Sequence, residues 1–575
     1  MNVFVDYKLK IHDVLLKLQK EQLITLPTSN MSLTVELPPK GQDAHMSCNV
    51  AMILSKYNKK NPVDLATDLS KLFTKNFNEF EKINVSKPGF INFYFKVSIW
   101  KKYLSTILSS ADKYGSNIIK KKKYNVEFVS ANPTGPLHVG HCRGAILGDV
   151  ISNLLIFNGH EVTREYYVND YGSQIDKFTH SVYYRILEII SNKDFPNDSN
   201  LYPGDYIIDI AKSIINEKKI INFTNLENIN ESLRKESLNH SIKLIINNLK
   251  LLGIKHDNFV YESDLIKKNA VSETIKKLEK NKHIYKGKLK PPKGEIDKNW
   301  KPRSQLLFKS TKFGDDTDRA LQKSDGTWTY FAGDIAYHSN KLDRNFDLLI
   351  NILGADHAGY IKRIRSAVTA MSNSKVDLLC KVSQLVKLYK NGNPYKMSKR
   401  KGDYISVEDL TLEVGIDSVR FMMLSRSNDV ELDFDFDKVT EKSKENPVFY
   451  VQYAQARINS IFRILNKKID SKIDVDDSEF ILNVHEIEIM KKILQWPSCV
   501  DLSVHKLEPH RIPFYLYDLV TLFHSYWNLG NENKDFRFIT DEGKHNPSRL
   551  ILLQALSVVI RNGMNILGVS TPDKM

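Results

Sequence analysis

The sequence predicts an α/β protein in which a parallel sheet with an inserted segment lies between an α+β region and an all-α bundle. Three observations predict this class. The apolar run 126–129 is bounded by turn residues and is typical of a buried strand. A Pro/Gly loop over 131–136 follows it, and a helical pattern then continues to Asn158. From about residue 446 onward, apolar residues recur every three or four positions, which predicts packed helices.

A strand, a Pro/Gly loop and a helix start, in this order, form the first crossover of a Rossmann-type sheet. The sheet pattern is expected to return at 325–330 and 348–353. We therefore expect four regions: an α+β N-terminal domain over 1–115, a Rossmann-type domain over 121–380 with a mostly helical insertion over about 176–300, a connecting region over 381–445, and an all-α domain over 446–575.

The composition is that of a folded, basic protein. Hydrophobic residues make up 42% of the 575 positions and charged residues 26%, which excludes wholesale disorder. Lys and Arg (83) outnumber Asp and Glu (68), giving a net charge of +15. Such a surplus favours a polyanionic partner such as nucleic acid, although a compositional bias toward Lys would also produce it.

Cysteine spacing and hydropathy argue against secreted and membrane classes. None of the four cysteines forms a CxxC pair, which argues against a disulfide framework or a structural zinc site. The N-terminus lacks an apolar core of signal-peptide length, and no stretch approaches the roughly 20 apolar residues that span a bilayer. We expect a cytoplasmic location, no membrane partner and no tightly bound metal.

Two histidines flank one glycine where the predicted loop meets the predicted helix. His138 and His141 are three residues apart and share a face, so both could donate hydrogen bonds to phosphate oxygens. Backbone N–H groups at a helix start also favour phosphate. Gly140 leaves room for a base or ribose against the backbone. Taken alone, the pattern is more typical of two satisfied histidines at an ordinary helix start.

A second motif, Lys396-Met397-Ser398-Lys399, lies on a polar loop rich in cations. Such a loop could close on a triphosphate and neutralise a departing pyrophosphate, whereas an isolated lysine cluster is usually a solvated charge run. The two motifs in this order favour a shared triphosphate site.

Together they resemble the two signature motifs of class I aminoacyl-tRNA synthetases, and the wider match resembles arginyl-tRNA synthetases of bacterial type. The segments that carry this wider resemblance are 132–145, 162–170, 324–327, 330–338, 354–357, 426–429 and 445–454.

The resemblance implies an arginine–tRNA ligase. Such an enzyme activates L-arginine with ATP and Mg²⁺ to arginyl-adenylate and transfers the arginyl group to the 3′ end of tRNA(Arg). It implies that the N-terminal region binds the tRNA elbow and that the C-terminal helices bind the anticodon arm. A monomer is expected.

The resemblance also implies site residues. The expected catalytic set is His138, Gly140, His141, Lys396, Met397, Ser398 and Lys399, of which the histidines and lysines would neutralise phosphate charge. The expected arginine-binding set is Glu127, Ser130, Ala131, Asn132, His141, Glu262, Tyr330 and Asp334. The expected ATP-binding set is Pro136, His138, Gly140, His141, Gly354, Asp356, His357, Lys396 and Lys399.

The residue chemistry suits an arginine pocket, because a guanidinium is a planar cation best matched by carboxylates and a flanking aromatic ring. Tyr330 and Asp334 are four residues apart and would share one face of a helix. One departure exists: some family members have a glutamine after the strand that ends near Leu353, where this chain has Gly354-Ala355-Asp356. No arginine contact is expected there.

Two other hypotheses stay open at this point. The first is a synthetase for another amino acid. A synthetase for cysteine would normally use a zinc site, and the pocket of one for an aliphatic amino acid would not be expected to contain a tyrosine and an aspartate such as Tyr330 and Asp334. A catalytically inactive relative that only binds RNA is the second alternative. Both signature motifs stand intact, which argues against it.

Overall fold

The computed structural model describes residues 2–28, 31–39, 41–117, 120–289, 303–395 and 405–575. The chain forms two compact units. One unit contains residues 1–119 and 441–575, and the other contains residues 120–440. The four region boundaries expected from the sequence stay predictions.

The N-terminal part of the first unit is α+β, as predicted. Its four strands form an antiparallel sheet in the order β1-β2-β4-β3. Its elements are α1 (Val3–Lys20), β1 (Val35–Glu36), β2 (Met46–Cys48), α2 (Val50–Asn58), α3 (Pro62–Asn76), β3 (Phe80–Ser86), β4 (Phe90–Phe95) and α4 (Val97–Ser110).

The second unit is an α/β domain. Its first half contains β5 (Lys123–Glu127), α5 (Val139–Phe157), β6 (Glu161–Val168), α6 (Ser173–Ser191), α7 (Asp205–Glu217), α8 (Leu226–Leu251), β7 (Asn258–Tyr261), α9 (Glu262–Lys267), α10 (Ala270–Lys280) and β8 (Ile284–Gly287). Its second half contains β9 (Gln305–Phe308), β10 (Arg319–Ala320), α11 (Tyr330–Asp343), β11 (Leu348–Gly354), α12 (Ile361–Ser372), β12 (Asp377–Ser383), β13 (Val386–Lys390), β14 (Asn393–Pro394), α13 (Val407–Val414), α14 (Ile416–Met423), β15 (Leu432–Asp435) and α15 (Phe436–Thr440).

A five-stranded parallel sheet forms the centre of this unit, with strand order β12-β11-β5-β6-β7. From β5 the chain winds outward through β6 and β7, and it then returns to the other side of β5 through β11 and β12. This reversal between β5 and β11 is the topological switch point of a Rossmann-type sheet, beyond whose carboxyl ends ligands bind. The predicted fold class is confirmed.

Two local predictions differ from the structure. Residues 258–261 fall within the stretch expected to be an insertion, yet they form the edge strand β7, so the inserted helices are α6 to α8. Residues 325–330 were expected in the sheet, but they form a turn that leads into α11. Asp325 Oδ1 accepts hydrogen bonds from the N–H and hydroxyl of Thr327, and Gly326 has φ +82°, a conformation that interrupts a strand.

The C-terminal part of the first unit is helical, as predicted: α16 (Pro447–Ile464), α17 (Val484–Leu494), α18 (Trp496–Lys506), α19 (Arg511–Glu532) and α20 (Pro547–Leu567). The expectation that no stretch approaches membrane-spanning length was wrong: among the described residues, α20 is the one helix long and apolar enough to cross a membrane by length and composition alone. Since 89% of its most apolar window is buried inside the protein, its apolar character is that of a core helix.

Candidate active site

The candidate site lies at the switch point of the parallel sheet, where β5 ends at Glu127 and β11 ends at Gly354. A loop from 128 to 138 connects β5 to α5. Because parallel strands end at the same edge, this loop, the end of β11 and the start of α9 after β7 share one edge of the sheet.

The turn directly after β5 is strained. Val129 and Ser130 have φ values of +71° and +41°, which β-branched and other non-glycine residues rarely adopt. Ser130 Oγ donates to Glu127 Oε1 at 3.1 Å and accepts from the N–H of Tyr167 at 3.0 Å. These hydrogen bonds stabilise the strained backbone of the turn, and residues with such strained backbone conformations occur preferentially at functional sites in proteins.

A buried lysine fixes the second oxygen of Glu127. Lys341 Nζ on α11 donates to Glu127 Oε2 at 2.5 Å and to Asn351 Oδ1 at 3.0 Å, and its side chain is 0% exposed. Asn351 lies beside Glu127 in the register of β11 and β5. A buried ammonium requires such partners, so Lys341 sets the position of Glu127.

The two histidines cap the start of α5. His138 N–H donates to His141 Nδ1 at 3.2 Å, and Gly140 N–H donates to His138 Nδ1 at 3.1 Å. An imidazole whose Nδ1 accepts a hydrogen bond carries its proton on Nε2. The two rings have centroids 3.9 Å apart.

Both imidazoles are therefore neutral donors. Burial lowers the pKa of His138, and burial together with His138 lowers the pKa of His141 to about 4. Near pH 7 both rings offer Nε2–H hydrogen bonds and carry no net charge. The expectation that they neutralise phosphate charge stays a prediction.

Four acids lie near Tyr167. Burial, followed by the nearby Glu262, Asp334, Glu127 and Asp170 carboxylates, raises the pKa of Tyr167. We call Glu262, Asp334 and Glu127 the acidic pocket. Burial, followed by Asp334 and Asp170, raises the pKa of Glu262 to about 7. Glu127 is paired with Lys341, whereas the raised pKa of Glu262 shows that acids outweigh cations around it, and such a site favours a cationic ligand.

Glu262 begins α9 and is held there by residues after β6. Asp170 accepts hydrogen bonds from the N–H of Ser263 at 2.9 Å and from its hydroxyl at 2.6 Å, which fixes the first turn of α9. The side-chain amide of Asn169 is assigned the orientation in which its nitrogen donates to Glu262 Oε2 at 2.6 Å and to the Tyr171 carbonyl at 3.2 Å. Glu262 Oε1 reaches within 3.9 Å of the position that a Cβ on Gly333 of α11 would occupy.

Asp334 lies in the second turn of α11 and is half-buried. The Tyr360 hydroxyl donates to its Oδ2. Burial raises the pKa of Asp334 to about 6; Glu127 adds to this rise, whereas Tyr360 and the cation Arg363 oppose it. The carboxylate thus accepts from an aromatic hydroxyl and lies near the cation Arg363, but burial outweighs both effects on its pKa.

Several predicted residues are more exposed. Tyr330 shares α11 with Asp334, but it is 80% exposed and its ring centroid is 5.6 Å from Lys323 Nζ. Asn132 is exposed and donates to Gln174 Oε1 at 2.8 Å. Of the other residues predicted for the site, Ala131 and Pro136 are half-buried, and the Ala131 carbonyl accepts a hydrogen bond from the Tyr166 hydroxyl. Gly354, Asp356 and His357 are exposed.

The lysine motif, comprising Lys396, Met397, Ser398 and Lys399, lies outside the described residues. The chain that follows it pairs with the entry to α5. Val139 N–H donates to the Ile405 carbonyl at 2.9 Å, and Val407 N–H donates to the Leu137 carbonyl at 3.2 Å. Ser406 thereby lies opposite His138 as an isolated antiparallel bridge.

Known proteins match this chain along its whole length. Three family models match: the arginyl tRNA synthetase N-terminal domain over residues 7–95, the class I (R) tRNA synthetase catalytic domain over 103–463, and the DALR anticodon-binding domain over 451–575. The arginine–tRNA ligase of Pelagibacter ubique is 56% identical over 577 residues and covers 100% of both chains. This chain belongs to the arginyl-tRNA synthetase family. The family predicted from the sequence is confirmed.

Other members of the arginyl-tRNA synthetase family match at lower identity. The arginine–tRNA ligase of Anaplasma phagocytophilum is 44% identical and covers 93% of each chain. The solved arginyl-tRNA synthetase of Thermus thermophilus superposes with a TM-score of 0.70, covering 99% of this chain and 100% of that one. At 19% identity this last likeness supports the fold alone.

Some residues that shape the site were not predicted. Three of them contact or lie beside a predicted acid: Tyr167, Lys341 and Tyr360. Their separation from that acid in the sequence does not match any motif that would have predicted the contact. Tyr167 and Asn169 do lie in the family-like segment 162–170, which was the one available signal. Lys341 reads in the sequence as an ordinary helix lysine.

Proposed function

We propose that the chain is an arginine–tRNA ligase and that its α/β unit activates L-arginine at the switch point of the parallel sheet. The observation that carries this proposal is the acidic pocket. Glu262, Asp334 and Glu127 cluster around Tyr167 at the same sheet edge as the capped histidines of α5. A guanidinium satisfies such a pocket, because its fork of donors matches two carboxylates.

In the first step, a carboxylate oxygen of arginine attacks the α-phosphorus of ATP. The new oxygen–phosphorus bond forms as the bond to the β-phosphate oxygen breaks, giving arginyl-adenylate and pyrophosphate. In the second step, a ribose hydroxyl at the 3′ end of tRNA(Arg) attacks the activated carbonyl, and AMP leaves. ATP enters as its Mg²⁺ complex, which is a substrate. Positioning and charge stabilisation suffice for both steps.

The two motifs divide the phosphate chemistry. His138 and His141 donate Nε2–H hydrogen bonds to phosphate oxygens, a role that suits two rings whose pKa values burial lowers. Lys396 and Lys399 supply the positive charge for the departing pyrophosphate. What supports their presence beside the histidines is the pairing of Ile405 and Val407 with residues 137–139, since it ties the lysine loop to the α5 entry.

We propose roles for the remaining site residues from their positions in the fold. Ser130, Ala131 and Asn132 lie on the loop after β5, where the substrate ammonium and carboxylate would bind. Pro136, Gly140, Gly354, Asp356 and His357 would contact ATP at the ends of β5 and β11. Tyr330 would turn onto the guanidinium. A cytoplasmic monomer with tRNA(Arg) as its macromolecular partner completes the proposal.

Pyrophosphate exchange tests this function. The full chain, ATP, labelled pyrophosphate and tRNA(Arg) are incubated with arginine, lysine, citrulline, cysteine or isoleucine in turn. We expect exchange with arginine and a preference of roughly 10⁴-fold or more over citrulline, which lacks the charge that the acidic pocket demands. Exchange with cysteine or isoleucine in place of arginine would refute the proposal that arginine is the substrate. No exchange with any amino acid would favour a catalytically inactive relative that only binds RNA.

A further inference from the structure

The loop 131–138 has little structure of its own. It contains the residues proposed to contact the arginine backbone and ATP, yet within it Thr134 N–H donates to the Asn132 carbonyl as its one internal backbone hydrogen bond among those described. A loop that must hold His138 to within a fraction of an ångström needs support from elsewhere.

The inserted helices supply that support, one side chain from each. Gln174 of α6 accepts from Asn132 at 2.8 Å. Tyr206 of α7 donates its hydroxyl to the Thr134 carbonyl at 2.8 Å. Asn248 of α8 accepts the Leu137 N–H at 2.9 Å, and this bond is buried.

The Asn248 bond is the most demanding of the three. Asn248 is 4% exposed and Leu137 is 1% exposed, so water cannot replace a lost partner for the Leu137 N–H. The Leu137 carbonyl accepts from the N–H of Val407, and the N–H of Val139, two residues after Leu137, donates to the Ile405 carbonyl. Residues 137–139 are therefore held between α8 on one side and the segment after the lysine motif on the other.

We infer that Asn248 is a positioning residue for adenylate formation, which assigns the inserted helices α6 to α8 the role of a template for the loop bearing His138. This inference rests on the proposed function. Asn248 acts through the Leu137 N–H and does not touch substrate. Its effect should fall on the step that uses His138 and His141, and not on the acidic pocket, whose carboxylates lie on β5, α9 and α11 and which Asn248 does not contact.

The test compares Asn248→Leu with Asn247→Leu, an exposed position one residue away on the same helix. In exchange assays with arginine and tRNA(Arg), Asn248→Leu should lower kcat/KM for MgATP about ten-fold or more, as displaced catalytic loops do. The Kd for L-arginine from calorimetry should stay within about two-fold. Asn247→Leu should match the unmodified chain in both, and Asn248→Asp, which keeps an acceptor in place, should recover most of the loss.

A folded Asn248→Leu variant with unchanged kcat/KM for MgATP would overturn the inference, and so would an equal loss of arginine affinity. If that variant does not fold, Tyr206→Phe is measured in its place, because the phenyl ring is kept and the hydroxyl that donates to the Thr134 carbonyl is removed. It should lower the same parameter about three-fold, and no change would overturn the inference. Failure of the proposed function is distinct: the unmodified chain would then show no arginine-dependent exchange at all.

Discussion

At the scale of single residues, the chemistry of the site depends on two carboxylates whose pKa values are raised. Burial and mutual repulsion raise the pKa of Glu262 to about 7 and that of Asp334 to about 6. For an acid, a raised pKa means that the folded protein binds its proton more tightly than the unfolded chain does. Stability is therefore lost as pH rises from about 4 through these values. A bound guanidinium offsets this loss of stability at higher pH, because its positive charge favours the ionised form of the carboxylates.

The affinity for L-arginine should consequently rise with pH. Below about pH 6 the ligand must displace protons from Glu262 and Asp334, whereas above about pH 8 both are already ionised. We expect the Kd of L-arginine to fall about ten-fold or more between pH 6 and pH 8, with proton release on binding. Calorimetry in buffers of different ionisation enthalpy measures both quantities. A Kd independent of pH would mean that these acids do not contact the ligand.

Asp334→Asn tests one acid directly. The amide keeps the size of the side chain and removes its charge, so the guanidinium loses an ion pair in a half-buried site. We expect the KM for arginine to rise about 30-fold or more, with a smaller change in kcat. Steady-state exchange kinetics measure the two separately. Asp343→Asn, at an exposed position on the same helix, serves as the control. An unchanged KM would remove Asp334 from the pocket.

At the scale of elements, α11 organises the pocket from both ends. Asp334 faces the pocket near its start, and Lys341 reaches back two turns later to Glu127 on β5. The salt bridge joins α11 to the strand that carries the strained turn at Val129 and Ser130. Removing one partner of a buried ion pair leaves the other charge uncompensated.

Lys341→Met should therefore lower the free energy of unfolding by about 3 kcal/mol, since Glu127 would keep a buried charge without its cation. Adding Glu127→Gln should restore part of this loss, because the pair is then replaced by neutral groups. Denaturant unfolding of the two single variants and the double variant gives the coupling. Additive losses would show that Lys341 and Glu127 do not act as a pair.

The same elements show what the sequence could and could not predict. A strand around Val126, the helix that ends before Asn158 and the strand near Leu353 follow from local apolar periodicity, and the structure contains them. The predicted strand bounds 126–129 were wrong, because β5 spans Lys123–Glu127 and Val129, with φ +71°, lies in the turn after it. Strand β7 has four residues between helices, and only its pairing with β6 makes it part of the sheet. Lys341 was missed for a related reason: its burial depends on Glu127, which lies 214 residues away in the chain.

At the scale of the whole molecule, the +15 net charge gains a reason once tRNA is the proposed partner. The models for the N-terminal and anticodon-binding domains match 7–95 and 451–575, and both ranges belong mainly to one compact unit. A polyanion held by lysine and arginine releases counterions, so tRNA affinity should fall by about 10²-fold or more between 50 and 200 mM salt. Filter binding across this range measures the slope. A flat response would contradict binding through phosphates.

Charging of tRNA(Arg) with radiolabelled L-arginine by the full chain tests the central claim most directly, because it requires the acidic pocket, the histidine loop and the lysine motif together. With MgATP present, we expect labelled arginine to accumulate on the 3′ end of tRNA(Arg), with no charging when ATP is omitted. If the folded chain attaches no arginine, or attaches a different amino acid instead, the assignment of this site to arginine is wrong.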